Sequence, residues 1–251
     1  MKRAAVFIML GALVLAGCTG LFFQPMKPLV RTPDAAGLAW ENLSLRAADG
    51  MPLTAWFLPA TGGRPRGTIL FLHGNAENIS THLGAVSWLP ARGFQVLLLE
   101  YRGYGESGGT PSLAGMQLDI DAAISALLAR PDVDPTRLVL LGQSLGGALA
   151  LYYSAHGPQR GRLQAVVADS ALSSYRNIAR EQLDASWLTW PLQWPLSFTV
   201  DDRYSPIRSM DRIAPVPVLL IQGQADTIVP PHHAQLLFDA ARPPRELWLV
   251  P

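Results

Sequence analysis

Ser144 stands where a serine can be made into a nucleophile. In the run Arg137-Leu-Val-Leu-Leu-Gly-Gln-Ser-Leu-Gly-Gly147 an apolar stretch stops at Gly142, a serine follows at Ser144, and two glycines precede a second apolar run. Gly142-x-Ser144-x-Gly146 is the strand, sharp turn and helix pattern of a nucleophile elbow. The turn lifts one hydroxyl above a sheet edge, and its flanking positions must be small so that strand and helix can approach. A serine hydroxyl is barely ionised at neutral pH, so it needs a base within hydrogen-bond reach and an acid to orient that base. Asp226, at the end of Gly223-Gln-Ala-Asp226, is the acid candidate. Asp169, which closes the run Leu163-Gln-Ala-Val-Val-Ala168, is its rival, since the chain order Ser…Asp…His suits either.

The base is harder to find. The chain has five histidines: His73, His82, His156, His232 and His233. His82 and His156 fall in predicted helices and are expected on solvated surface. His232 and His233 follow Asp226 closely and are expected to start the next helix, near the pocket rim. Asp201-Asp202 has no histidine nearby and reads as a solvated face rather than a metal site. No metal and no cofactor is implied.

The elements that must carry these residues alternate between strand and helix. Thr68-Ile-Leu-Phe-Leu72 and Phe94-Gln-Val-Leu-Leu-Leu99 are continuous apolar runs of the kind buried on both faces of a parallel sheet. Met116, Ile120, Ile124 and Leu127 recur at helical spacing behind Ser112, a fair N-cap. Leu38 to Arg46 alternates as a half-buried strand does, and Val216 to Ile221 and Glu246 to Val250 supply the last strands. Such alternation means a mostly parallel sheet with right-handed crossovers and helices on both faces. Ligands in these sheets lie at the carboxyl ends of the strands, where His73, Ser144, Asp169 and Asp226 all fall. From about 171 to 215 the pattern breaks: Trp187, Trp190, Trp194 and Phe198 cluster among prolines. This stretch reads as an inserted cap, with its aromatic rings expected in core packing or around an apolar acyl pocket.

Composition narrows the class. Hydrophobic residues make up 49% and charged residues 16%, which argues against disorder. The net charge of +1 leaves no basic stripe, so nucleic acid is not an expected partner. Lys2-Arg3 and the apolar run Ala4–Ala16 read as a targeting segment over 1–17. Leu15-Ala16-Gly17-Cys18 resembles the bacterial lipobox, which implies cleavage before Cys18 and lipidation of that residue, the sole cysteine. Thr19 rather than Asp after it implies, by the same resemblance, the outer membrane, with the body facing the periplasm. A proline-containing tether over 18–37 would then join the lipid to a domain over 38–251.

Taken together, the His73-Gly-Asn turn, the Tyr101-Arg-Gly-Tyr-Gly-Glu-Ser107 block, the Gly-Gln-Ser-Leu-Gly-Gly elbow and the Gly-x-x-Asp loop resemble the α/β-hydrolases. The likeness is to their small serine esterases, thioesterases and peptidase-like members. The resemblance implies an acyl-Ser144 intermediate on a small-molecule or acylated substrate. It also implies an oxyanion hole from the backbone N–H groups of Asn75 and Leu145, with His73 shaping the turn. The family's base follows the last strand in a short Gly-x-x-His loop, so by resemblance the catalytic histidine is expected beyond Pro251, in a C-terminal part absent here. The competing expectation is a non-catalytic relative, a binding or scaffold lipoprotein that lacks the base.

Overall fold

A computed structural model describes residues 23–184 and 187–251. The targeting segment and Cys18 lie outside the described residues. An eight-stranded sheet is built from β1 (Glu41–Arg46), β2 (Pro52–Leu58), β3 (Gly67–Leu72), β4 (Phe94–Leu99), β5 (Leu138–Gln143), β6 (Leu163–Asp169), β7 (Val218–Gly223) and β8 (Arg245–Val250). Its spatial order is β1-β2-β4-β3-β5-β6-β7-β8. Only β2 is antiparallel to both neighbours; from β4 to β8 every pairing is parallel. The sheet therefore has one carboxyl edge, and the chain returns to it after every strand from β3 onward.

Burial explains which strands sit in the middle. All six residues of β3 are buried, whereas β1 alternates at the sheet's outer edge. Leu70 and Leu72 face one core with Leu97, Leu99, Met116 and Ile120. Ile69 and Phe71 point the other way, to Val96, Leu98, Ile79 and Leu83. The period of two thus fills two layers at once. Removing one such side chain, as in Leu72→Ala, costs about 2–5 kcal/mol.

The covering helices are α1 (Ile79–Val86), α2 (Leu113–Leu128), α3 (Leu145–His156), α4 (Tyr175–Asp184), α5 (Gln193–Ser197) and α6 (His232–Ala240). Ser112 caps α2 by accepting the Gly115 N–H at 3.1 Å, and Asn78 caps α1 through Ser80. Helix α1 is shorter than the stretch 79–91 that periodicity suggests, because Pro90 opens a separate turn. Between β6 and β7 lie α4, α5 and three short 3-10 turns, which form the cap. Among the described residues no helix is long and apolar enough to cross a membrane.

Two expectations change here. The stretch read as a tether lies against the body from Phe23 onward. Phe23 is buried, Gln24–Pro25 pairs with Ala76–Glu77, and the Asn78 amide donates to the carbonyls of Met26 (3.1 Å) and Pro28 (2.8 Å). Asp202 is not on a solvated face. It is buried and accepts from the Ser174 hydroxyl (2.7 Å), the Ser205 hydroxyl, the Arg176 N–H (3.1 Å) and the Arg208 guanidinium (2.9 Å). It anchors the end of the cap.

Candidate active site

The elbow is real geometry. Ser144 has φ 52° and ψ −114°, a conformation that costs a non-glycine residue about 1–3 kcal/mol. It is held there because its N–H donates to Asp169 O (2.8 Å) while its carbonyl accepts from Ala148 N–H (3.1 Å). Tight contacts enforce the turn. A Cβ on Gly142 would lie 2.1 Å from Gly146 O, and one on Gly146 would lie 2.0 Å from Leu72 O. Strand β5, helix α3 and the end of β3 meet with no room for a methyl group.

Leu145 begins α3, so its N–H belongs to the positive end of a three-turn helix. Across from it the chain leaves β3 through His73-Gly74-Asn75. Two tyrosines brace this turn: Tyr101 donates to His73 O (3.0 Å), and Tyr104 donates to Asn75 O (2.8 Å) and Asn75 Oδ1 (3.1 Å). Beneath them the His73 ring is wholly buried, stacks on Tyr101 at 4.2 Å between centroids, and sets Nε2 3.2 Å from Glu100 Oε1. His73 is thus spent on shape. The braces were visible in the sequence as the Tyr101-Arg-Gly-Tyr104 block, but nothing local says what the hydroxyls reach.

Asp226 Oδ1 accepts the N–H groups of Ile228 and Val229, both at 2.9 Å, which fixes its carboxylate at the carboxyl edge. Asp169 ends β6 one strand nearer to Ser144. Burial, and secondarily the negative charge of Asp226, push its carboxyl above the ordinary 3.8, against help from Ser170 and Gln143. Asp226, held by two backbone N–H groups, is the carboxylate whose position is fixed. The last strand exits beside it: Val250 pairs with Gly223, and Gln224 N–H donates to Val250 O at 2.8 Å.

The histidines are distributed differently from expectation. His82 is not on solvated surface. Its ring flanks Gly74 together with Ser144, since a Cβ on Gly74 would meet His82 Cε1 at 3.1 Å and Ser144 Cβ at 3.9 Å. Nδ1 lies 3.2 Å from Gln143 Oε1 and Nε2 lies 3.1 Å from Ala76 O. Burial first, and then the neighbouring His73, hold its pKa below 6.5, so at neutral pH the ring can donate to only one of these two acceptors. His156, at the far end of α3, is exposed as expected and packs on Tyr152. It lines an open groove of about 590 Å³ with Arg160, Asp211, Arg212 and Arg242, a helix length away from Ser144.

His232 opens α6, as the sequence suggests, and both it and His233 turn toward Glu181 of α4, each at 3.1 Å. Among the described residues these three form the one group whose donor atoms lie close enough for a metal, within 4.8 Å. The hydrogen bonds argue otherwise. His233 Nδ1 accepts the Ser173 N–H (3.1 Å), so in the neutral ring the proton sits on Nε2 and points at Glu181. His233 thus offers no lone pair toward Glu181, and the group acts as a latch between cap and body. Neither histidine is aimed at Ser144.

The comparisons with known proteins agree with the sheet. Residues 63–201 match the family model described as serine aminopeptidase, S33. The uncharacterized protein YfhR of Escherichia coli K12 is 40% identical over 214 residues, covering 84% of this chain and 72% of YfhR. The chain belongs to this α/β-hydrolase family. The α/β hydrolase domain-containing protein WAV2 of Arabidopsis thaliana is 32% identical over 266 residues, covering 96% of this chain and 84% of WAV2. Among solved structures, the Pyrococcus furiosus esterase Pf2001 superposes with a TM-score of 0.76 at 20% identity, covering 91% of this chain and 88% of the esterase. That likeness is one of fold: the mostly parallel sheet with flanking helices expected from the sequence is an α/β-hydrolase fold.

Proposed function

We propose that this α/β-hydrolase cleaves an ester, thioester or amide through an acyl-Ser144 intermediate. The observation that carries the reading is the strained Ser144 set between the α3 N-terminus and the braced His73-Gly-Asn75 turn. In this reading the Leu145 and Asn75 N–H groups receive the negative oxygen of the tetrahedral intermediate, each worth about 3 kcal/mol where single donors have been removed. Asp226 orients the base. A histidine in a loop following β8 would enter beside Asp226, because β8 leaves the sheet against Gly223. The protein is held in the cell envelope, at the outer membrane facing the periplasm, through lipidated Cys18.

Fluorophosphonate labelling of the protein in its native membranes, beside a Ser144→Ala control, tests the chemistry. A labelled band that the control lacks supports the acyl-enzyme. Absence of label would favour the second reading, a non-catalytic binding protein. That reading draws on the fact that His73, His82, His232 and His233 are all committed to partners other than Ser144. Metabolic labelling with an alkynyl fatty acid, lost in Cys18→Ser, tests the anchor separately.

A further inference from the structure

The cap's tryptophans are not packed in the core. Trp187 is 87% exposed, Trp190 58%, Trp194 56% and Phe198 62%, with Leu188 at 68% between them. Between Asp184 and Asp201 the chain carries no charged residue. Soluble surfaces rarely keep a contiguous apolar patch of this kind unless something covers it. Ile228, on the loop after Asp226, is also exposed, and its carbonyl accepts from Gln182 of α4 at 3.2 Å. The loop that carries Asp226 thus meets the cap at helix α4.

We propose that this aromatic face of the cap docks on a lipid surface bearing anionic headgroups. Three observations select that occupant. First, the rim is cationic: Arg180 stacks over Trp194 at 4.7 Å and Arg176 over Phe198 at 5.2 Å, and neither guanidinium has an ion-pair partner among the described residues. Tryptophan with arginine at an apolar border is the composition of a membrane interface, where rings sit at headgroup depth and cations meet lipid phosphates. Second, the nearby acids are turned away from this role. Glu181 is bound by His232 and His233, Asp184 by Gln193 (2.6 Å) and Asp201 by Arg203 (2.8 Å). Each of these acids thus has a partner of its own, and none of them pairs with Arg176 or Arg180.

Third, the orientation is right. The described chain begins at Phe23, and Gln24–Pro25 pairs with Ala76–Glu77 just beyond the carboxyl end of β3. The described chain thus enters the domain at the sheet edge that carries Ser144 and the cap. Only this third point rests on the anchor proposed above. A chain held to a bilayer at that end presents the tryptophan face to the lipid, and an acylated substrate would reach Ser144 along it.

Because Cys18 is the sole cysteine, the test can be site-specific in the full chain. Cys18→Ser/Leu188→Cys carries an environment-sensitive fluorophore on the patch. Cys18→Ser/Arg64→Cys carries it on an exposed loop before β3, at the opposite edge of the sheet. Both are bound to vesicles of phosphatidylglycerol and phosphatidylcholine with brominated acyl chains. The expected result is a blue shift and at least ~2-fold stronger quenching at position 188 than at 64, as for a side chain buried in the acyl boundary. Arg176→Gln/Arg180→Gln should remove the preference for phosphatidylglycerol over pure phosphatidylcholine vesicles. Equal quenching at the two positions overturns the proposal. So does a dimer, seen by light scattering without vesicles, that shields the label at 188. Loss of alkynyl fatty-acid labelling in Cys18→Ser reads the anchor alone, and quenching at 188 is read in chains that lack that anchor, so a failed anchor and a failed cap give different results.

Discussion

Replacing Gly146 by alanine should break the elbow without touching a reactive atom. The new methyl would lie 2.0 Å from Leu72 O, 2.5 Å from Leu72 C and 2.6 Å from His73 O. Every one of these is a backbone atom of the strand end that leads into the oxyanion turn. None can rotate away, so α3 and β3 must separate by on the order of 1 Å, which no neighbouring layer can absorb. Overpacking costs about 1–3 kcal/mol in ordinary cores, and here the upper end or more is expected, less the ~1 kcal/mol that Gly→Ala gains in helix propensity. Gly147→Ala is the internal comparison. Its nearest obstacle is the Ala171 Cβ at 2.8 Å, with Gly142 O at 3.2 Å, so the loop after β6 has to give, and by less than Gly146→Ala demands of β3. Gly147→Ala should cost less than Gly146→Ala, and Ala171→Gly should relieve much of what strain it causes. Urea unfolding followed by circular dichroism measures both. For a chain of this size ~2 kcal/mol corresponds to a melting shift of roughly 4–8 °C. If Gly146→Ala proves no more destabilising than Gly147→Ala, the close approach described here is wrong.

Four further predictions follow from the same geometry. Ser144→Gly should be more stable than Ser144→Ala by about 1 kcal/mol in thermal melts, because glycine accepts φ 52° without strain and alanine does not. Tyr104→Phe leaves the Asn75 carbonyl one donor short, at about 1–3 kcal/mol if that oxygen stays dry; under the proposed acyl-Ser144 chemistry kcat for hydrolysis should fall with KM nearly unchanged, since the loss would be felt at the developing oxyanion. Burial and Asp226 raise the Asp169 pKa above 3.8, so the folded chain holds that proton more tightly than the unfolded one, and stability falls as pH rises through this window. Asp169→Asn should therefore raise the melting temperature at neutral pH, lose that gain below about pH 3, and keep the fluorophosphonate label that Asp226→Asn loses. Burial depresses His233 below 6.5 despite Glu181, so its contribution is complete above 6.5 and is lost as pH falls through the folded pKa; melts of His233→Gln from about pH 7.5 to 5 should show a flatter decline than the parent.

What was legible in the sequence follows from how local the cause is. The runs Thr68–Leu72 and Phe94–Leu99 announce strands buried on both faces because their composition suits no other site, and β3 and β4 are such strands. The elbow is legible because Gly142 is demanded by the backbone of Gly146 within five residues, whereas the contact that demands Gly146 comes from Leu72 on a distant strand. The path of residues 23–37 was not legible, because it is held by side chains some fifty positions away: Asn78 on Met26 and Pro28, and the Ser80 hydroxyl accepting Val30 N–H at 2.9 Å. Periodicity places His82 on a helix without saying which side of that helix meets the sheet, and the answer depends on how α1 crosses β3 and β5.

The tryptophans went wrong for a different reason. The rule that large apolar residues are buried holds for a chain that buries them against itself, and a cap short of neighbours cannot do so. The cap does bury its inner side: Tyr175, Ile178, Val200, Met210 and Ile213 join the core of the body, while its rings stay outside. Polar contacts add to that hold. Asp202 gathers Ser174, Ser205 and Arg208, while Glu181 meets His232 and His233. Fixing a cap by buried hydrogen bonds and leaving its rings outside makes sense only if the rings have another use. Had they served stability, the same residues turned inward would have contributed about 25 cal/mol for each Å² removed from water. In the membrane-docking proposal the anchored inner side of the cap and its exposed rings are one arrangement, with the apolar side meeting the lipid.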